Sequence, residues 1–320
     1  MISKTPTLGM TKEQWLLERS KTVGGSEIGA VLGLNPWQSA YSLWCERTGK
    51  TAPFEGNLRT EIGSYLEDFV AQEFSRRSGL MVKRTNYLYR NDRYPALHAS
   101  PDRLIIGEDA GLECKTTSAF NTRMFKGSDF PTQYYAQAVQ CMAVLEKAEW
   151  YIAVLVGNHA FHIYRLTRNQ GEEKPDWCDA SLYVEDGEIE ALSGAAEAFL
   201  ANVQNDTPPA VDGAEATTEA ISERFPEGNG STTDLFGREA LVQSWFQIRE
   251  ARKGLEEQEK EIRNVLCADL GHSEVGLCGQ HKVTWRTQTR SAFDAKACVA
   301  DHPEMAAYYK TSTSRVFGIR

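Results

Sequence analysis

The stretch from Ser100 to Ser118, SPDRLIIGEDAGLECKTTS, sets three charges inside two segments that otherwise read as buried strand. Leu104, Ile105 and Ile106 follow Asp102 with no polar alternation, the pattern of a strand covered on both faces. Side chains alternate along the second segment, so Glu113 and Lys115 point one way while Leu112, Cys114 and Thr116 point the other. On an open face these would be an ordinary solvated ladder. A carboxylate at the edge of a covered strand is costly unless something compensates it. The turn GEDAG brings the two strands together, so Asp102 and Glu113 can face one point. Two carboxylates that close cannot both stay ionised without a cation. The pattern points to an acid-lined gap where the two strands meet.

Mg²⁺ suits such a gap, because it takes hard oxygen ligands and is held by one or two carboxylates plus phosphate. Mn²⁺ can stand in for it. The candidate ligands are Asp102 and Glu113, with the Cys114 backbone carbonyl as a further oxygen. Lys115 is placed to orient a water and to offset charge on a phosphoryl oxygen. The chemistry this implies is metal-assisted phosphodiester hydrolysis. Glu67, in SYLEDFV, is a third candidate acid on a neighbouring helix; Asp68 competes with it, and either also reads as a helix-surface charge.

Around this segment the periodicity predicts an α+β body. Residues 11–19 read as a short helix, and SEIGAVLG as a second one with Ser26 as N-cap and Gly33 at its C-terminal stop. In the helix of residues 57–78, Ile62, Leu66, Phe69, Val70 and Phe74 form one apolar stripe. LMVKRTNYLY reads as strand, Pro131 to Lys147 as helix, and residues 149–168 as a hairpin turning at Gly157-Asn158. Residues 178–203 read as helix. The expected division is a core at 1–204, a linker or surface loop at 205–220, and a helix-hairpin-helix appendage at 221–320. The appendage begins with a long amphipathic helix, in which Gly254 is the one position where a break could fall.

SPDRL followed by GLECKTT resembles the PD-(D/E)XK nuclease core. Together with GGSEIGAVLGLNPWQS, GSYLEDFVAQEF and PTQYYAQAVQCMAVL, in order over roughly residues 12–200, it resembles the phage lambda exonuclease/YqaJ-type recombinase family of viral alkaline exonucleases. The resemblance implies a Mg²⁺-dependent 5′-to-3′ exonuclease on linear double-stranded DNA that releases mononucleotides and leaves a 3′ overhang. It also implies a homotrimer threaded by the DNA, a single-strand annealing partner of the Redβ/RecT type, and a phage-encoded protein of the bacterial cytosol. By motif, Asp102 and Glu113 would be metal ligands, Lys115 the catalytic lysine and Glu67 the assisting helix acid. Arg19 and Ser26 match the family's 5′-phosphate pocket, and a helix start approached through Gly-Gly with a nearby Arg is itself an anion site. Gln137 matches the family's glutamine near the scissile bond; Gln140 is the alternative, because the family spaces its two glutamines one residue closer.

Other features are blander. Trp15, Trp37 and Trp44 read as core or loop packing, and His98 either as a site group or a packed imidazole. Arg47, Lys50, Arg76, Arg77, Lys83 and Arg84 could line a DNA channel or be solvated charges. The seven cysteines form no C-x-x-C pair, which argues against zinc and disulfides. Their spread also disfavours an iron–sulfur nuclease, leaving an endonuclease or a non-catalytic DNA-end scaffold as the competing readings. The net charge of −9 excludes a generic polyanion binder and allows a local basic channel. No apolar run approaches the roughly 20 residues of a membrane span, and the N-terminus lacks the apolar stretch of a signal peptide.

Overall fold

The computed structural model describes residues 1–319 and divides the chain into two compact units, Met1–Phe225 and the residues from Pro226 onward. In the first unit, β1 (Ile2–Pro6) leads into α1 (Lys12–Ser20), β2 (Val23–Gly24), α2 (Gly25–Val31), α3 (Ala40–Arg47) and the long α4 (Leu58–Ser78). Strands β3 (Val82–Lys83), β4 (Tyr87–Asn91), β5 (Leu97–Ala99), β6 (Arg103–Ile105) and β7 (Ala110–Thr117) follow. The unit continues through α5 (Thr132–Leu145), β8 (Glu149–Val156), β9 (Ala160–Thr167), β10 (Ala180–Tyr183), α6 (Asp186–Gln204) and α7 (Glu215–Arg224).

Six strands make the main sheet in the order β10-β9-β8-β7-β6-β3, and four make a smaller sheet in the order β1-β4-β5-β2. β7 runs antiparallel to β6 and parallel to β8. A parallel pair cannot be joined by a tight turn, and α5 is the crossover helix that joins this one. The run WYIAV of β8 is buried throughout because both its faces are covered. Trp150, Ile152 and Val154 pack in one core with α5, while Tyr151 and Ala153 pack in another with Val70 and Phe74 of α4. Each large apolar side chain buried this way contributes roughly 1.5–3 kcal/mol. Gly111 on β7 permits the packing: a Cβ there would lie 2.4 Å from the Trp150 ring. α5 touches both sheets, and its last eight residues are all buried, which leaves it little polar surface.

This is the mixed α+β sheet with helices on both faces that the sequence leads one to expect, with differences in detail. Ser26 is not an N-cap. Gly24 is the cap, extended and paired to β5 through β2, and its N–H donates to the Glu27 carboxylate at 2.8 Å. The α4 stripe is buried only from Val70 onward; Ile62 and Phe69 are exposed, although β7 also passes the first half of the helix, where a Cβ on Gly63 would lie 3.5 Å from Thr116 Oγ1. LMVKRTNYLY splits between the two sheets as β3 and β4. Residues 180–183 are strand rather than helix, added parallel to β9. The segment expected as a linker at 205–220 contains the start of α7, whose Ala216, Thr217 and Ala220 are buried. The Thr217 hydroxyl bonds Ser39 at 2.6 Å, so α7 belongs with the first unit and the boundary falls at residues 225–226.

In the second unit, α8 (Glu239–Leu270) runs unbroken through Gly254. The hairpin of β11 (Val275–Cys278) and β12 (His281–Thr284) and a short α9 (Ala295–Asp301) follow it.

Candidate active site

The register of β6 on β7 sets Arg103 opposite Leu112 and Leu104 opposite Gly111. One step further back, Asp102 falls opposite Glu113, the spacing at which side chains on one face meet. The Cys114 N–H donates to Asp102 Oδ2 at 2.7 Å. Glu113 is only 3% exposed, and its Oε1 accepts from Lys115 Nζ at 2.8 Å and from Gln137 Nε2. Lys115 Nζ also donates to Gln137 Oε1 at 2.8 Å and lies 5.4 Å from the centre of the Tyr134 ring. Glu113 Oε2 is buried with no hydrogen-bond partner among the described residues.

The electrostatics follow from this crowding. Burial raises the Asp102 carboxyl well above the usual carboxylate range, and the Glu113 charge raises it further. Burial on its own lowers the Lys115 pKa, but the Glu113 and Asp102 carboxylates outweigh it and raise it above the ordinary lysine value, so the ammonium stays charged. Two carboxylates, one with an idle buried oxygen and one driven toward its neutral form, are the donor set that a hard divalent ion satisfies. Among the described residues no cluster of three His, Cys, Asp or Glu side chains gathers around one point, so any further oxygens would come from backbone, water or substrate. Thiolate ligation at Cys114 is disfavoured, because burial and then the neighbouring acids push its thiol well up.

Glu67 reaches this region from α4, but Arg103 holds it. Arg103 Nη1 donates to Glu67 Oε1 at 2.5 Å and to the Asp102 carbonyl at 2.6 Å, and its Nη2 meets Asp68. Arg84 bridges the same two acids at 2.9 and 3.2 Å. Glu67 and Asp68 are thus one clamp rather than alternatives. A cleft of 320 Å³ runs past Trp15, Glu67, Arg84 and Ser100 to Asp102. A larger cavity of 610 Å³ opens away from the acids between α3, α7 and residues 51–60. Trp37 stands on its rim and is 76% exposed, so it is not packing; Trp44 is fully buried.

A second cluster adjoins the first. Arg19 Nη2 donates to Ser26 Oγ at 3.0 Å while its guanidinium lies 4.4 Å from the centre of the Trp15 ring. His98 is fully buried, with Nδ1 2.9 Å from the Thr22 hydroxyl and Nε2 unpartnered among the described residues. Burial, and then the charges of Arg19, Arg90 and Arg47, drive its pKa down to about 2, so the ring is neutral. A Cβ on Gly24 would sit 2.8 Å from His98 Nε2 and 3.1 Å from Arg19 Nη2, which explains the glycine. Gln140, fully buried, donates to the carbonyls of Val23 at 2.8 Å and His98 at 2.7 Å. Helix α5 therefore fixes both clusters, through Gln137 to the acids and lysine and through Gln140 to the strands behind Arg19.

Several of these partners were not singled out from the sequence. Arg103 directly follows Asp102 in SPDRL, and Tyr134 lies one helical turn before Gln137; adjacency was the available signal for each. Among the charges read as a possible channel, Arg47 pairs with Glu27, Lys50 with Asp206, and Arg76 and Arg77 with Glu73.

A mixed sheet carrying D…E-x-K on two neighbouring inner strands is the PD-(D/E)XK-type fold. Residues 14–148 match the YqaJ-like viral recombinase domain. The uncharacterized protein YqaJ of Bacillus subtilis (strain 168) is 32% identical over 317 residues, covering 97% of this chain and 95% of that protein. The chain belongs to the YqaJ-like viral recombinase family. Among solved structures it is similar to an alkaline exonuclease (LHK-Exo) from Laribacter hongkongensis, at 16% identity and a TM-score of 0.45 over 61% of this chain and 94% of that one. A phage-related exonuclease from Haemophilus somnus 129PT aligns at 12% identity and a TM-score of 0.42 over 58% of this chain and 96% of that one. No described helix is long and apolar enough to cross a membrane.

Proposed function

We propose that this chain is a metal-dependent nuclease acting on DNA, and more narrowly a 5′-to-3′ exonuclease that digests one strand of a linear duplex to mononucleotides. The observation that carries the reading is the environment of Glu113: Oε1 saturated by Lys115 and Gln137, Oε2 buried and idle, and Asp102 opposite on the neighbouring strand. Mg²⁺, or Mn²⁺ in its place, would be held by Asp102, Glu113 and the Cys114 carbonyl and would supply Lewis-acid polarisation of a phosphate.

The chain's own residues do the rest. Lys115, kept charged by the two acids, orients the attacking water and offsets negative charge growing on the phosphoryl oxygens. Gln137 fixes the lysine by accepting a hydrogen bond from its ammonium at Oε1. Arg103 stabilises the strand edge by tying Glu67 to the Asp102 carbonyl. Arg19 and Ser26 offer donors for a terminal 5′ phosphate, which would select a DNA end and set the direction of digestion. A homotrimer encircling the duplex, and a Redβ/RecT-type annealing protein that takes up the exposed 3′ strand, complete the proposal.

The test uses pure protein, Mg²⁺ and three DNAs: a linear duplex with 5′ phosphates, the same duplex without them, and a closed circle. Rapid loss of the first, slower loss of the second and an intact circle are expected. Cutting of the circle would indicate an endonuclease, and inertness toward all three a scaffold.

A further inference from the structure

Helix α8 has no role in the catalytic reading, yet it is 32 residues long, about 48 Å at 1.5 Å per residue, and none of its residues is buried. Leu241, Trp245, Ile248, Leu255, Ile262 and Leu266 fall at alternating spacings of four and three, with Arg252 and Glu259 filling the two remaining places. That is a heptad seam of six apolar residues and two charges, the spacing by which one helix pairs with another. Leu241, Ile248, Leu255 and Ile262 are 61%, 69%, 65% and 62% exposed, so the seam is open. Phe317 meets only its Trp245 end, at 6.1 Å between ring centres. Gly254 lies on the outer face of the helix, away from the seam.

We propose that α8 pairs with α8 of a second copy of this chain, as an antiparallel coiled coil. The charges select both the occupant and its direction. In a parallel pair each seam position meets itself, which would press Arg252 on Arg252 and Glu259 on Glu259, and like charges in a desolvated seam repel. The flanking positions of that pair offer Ser244 against Arg249, Ala251 against Glu256 and Gln258 against Arg263, with no opposite charges in contact. In the antiparallel pair, centred between Arg252 and Leu255, Trp245 packs on Ile262 of the second copy and Leu241 on Leu266. Arg252 then meets Leu255, and Glu259 meets Ile248. The flanking positions now set Arg249 against Glu256 of the second copy, and the two-fold axis repeats the pair. Arg252, already 3.3 Å from Glu256 of its own helix, joins the same charge cluster. Flanking charges of this kind set partner and orientation in coiled coils. The pairing does not depend on the nuclease reading, and it acts in addition to whatever assembly the first unit forms.

The test is the solution mass of the full-length chain by light scattering across a dilution series. Wild type is expected to show a larger mass than the Leu255→Glu variant, a dimer against a monomer for a monomeric first unit and a dimer of trimers against a trimer for a trimeric one, with unchanged far-ultraviolet circular dichroism. Arg249→Glu should move dissociation to higher protein concentration. Adding Glu256→Arg to it should restore the wild-type midpoint, because the exchanged charges face each other again only in the antiparallel copy. Equal masses for wild type and Leu255→Glu would overturn the proposal, including the case in which a different protein covers the seam. So would a double exchange that fails to restore pairing.

Discussion

Glu73 and Glu113 each hold basic partners at hydrogen-bond distance, in surroundings that could hardly differ more. At the end of α4, Glu73 bonds Arg76 and Arg77 at 2.7 Å, about one turn away on the same helix; Glu73 is half-buried, and the two arginines face solvent at 69% and 40% exposure. The bonds from Arg76 and then Arg77 take its pKa down to about 2. On β7, Glu113 bonds Lys115 beneath α5, with a second acid opposite and one oxygen idle. The exposed cluster is locally complete and exchanges its partners with water at little cost. The buried one leaves Glu113 Oε2 without a partner among the described residues, and neither acid can shed its charge into solvent. The same carboxylate satisfies both oxygens with arginines in one place and keeps one oxygen unpartnered among the described residues in the other, and burial makes the difference.

The largest expected effect lies on the buried side. Lys115→Ala should lower turnover by a factor of about 10² to 10³ or more while DNA-end binding persists, measured by single-turnover digestion beside a gel-shift titration. Normal digestion by that variant would remove the contrast with Glu73. Asp102→Asn should likewise abolish turnover, yet raise the melting temperature of the metal-free protein at neutral and alkaline pH. A carboxyl with a raised folded pKa keeps a proton that the unfolded chain has released. Stability therefore falls as pH climbs from the ordinary Asp range, roughly 4, through the folded value, and the variant lacks that loss.

His98 gives a smaller effect in the opposite direction. Its folded pKa of about 2 lies below the ordinary value near 6.5, so below that pH the unfolded chain gains a proton that the folded one refuses. Wild-type stability should drop by up to roughly 1.4 kcal/mol per pH unit under acid, and denaturant titrations of His98→Gln should show a shallower slope. The smallest effect belongs to the exposed cluster. Glu73→Gln should leave activity within twofold and change stability by less than about 1 kcal/mol, as urea melts would show. A large loss there would mean that the exposed pairs matter as much as the buried one.

Much of this site could be read from neighbouring residues. Alternation along GLECKTT puts Glu113 and Lys115 on one face, but of the apolar run after Asp102 only Ile105 is buried, because β6 ends there and Ile106, in the turn, is 46% exposed. The glycines at the turns and the helix stops also speak locally: Gly79 and Gly157 take positive φ angles of 75° and 55°, where the chain ends a helix or turns a hairpin. Ser26 shows the limit of such reasoning. Its sequence looks like a cap, but Gly24 is drawn into a strand by β5, more than seventy residues away, and the helix starts one residue before the serine. The stripe of α4 fails in the same way, because periodicity marks an apolar face without saying how much of it a sheet will cover. Gln140 read as a possible site group, yet it bridges two strands that only the fold brings side by side.

The sequence by itself determined the elements whose signal is periodic or adjacent: the charged strand pair, the crossover helix, and the long amphipathic α8. Only the tertiary structure decided which sheet each strand joined, that Arg103 would gather Glu67 and Asp68, and that one oxygen of Glu113 would be left idle. The reason is the range of the forces. Backbone and side-chain periodicity are set within a few residues, whereas burial and its electrostatic consequences depend on segments that are remote along the chain and meet only on folding.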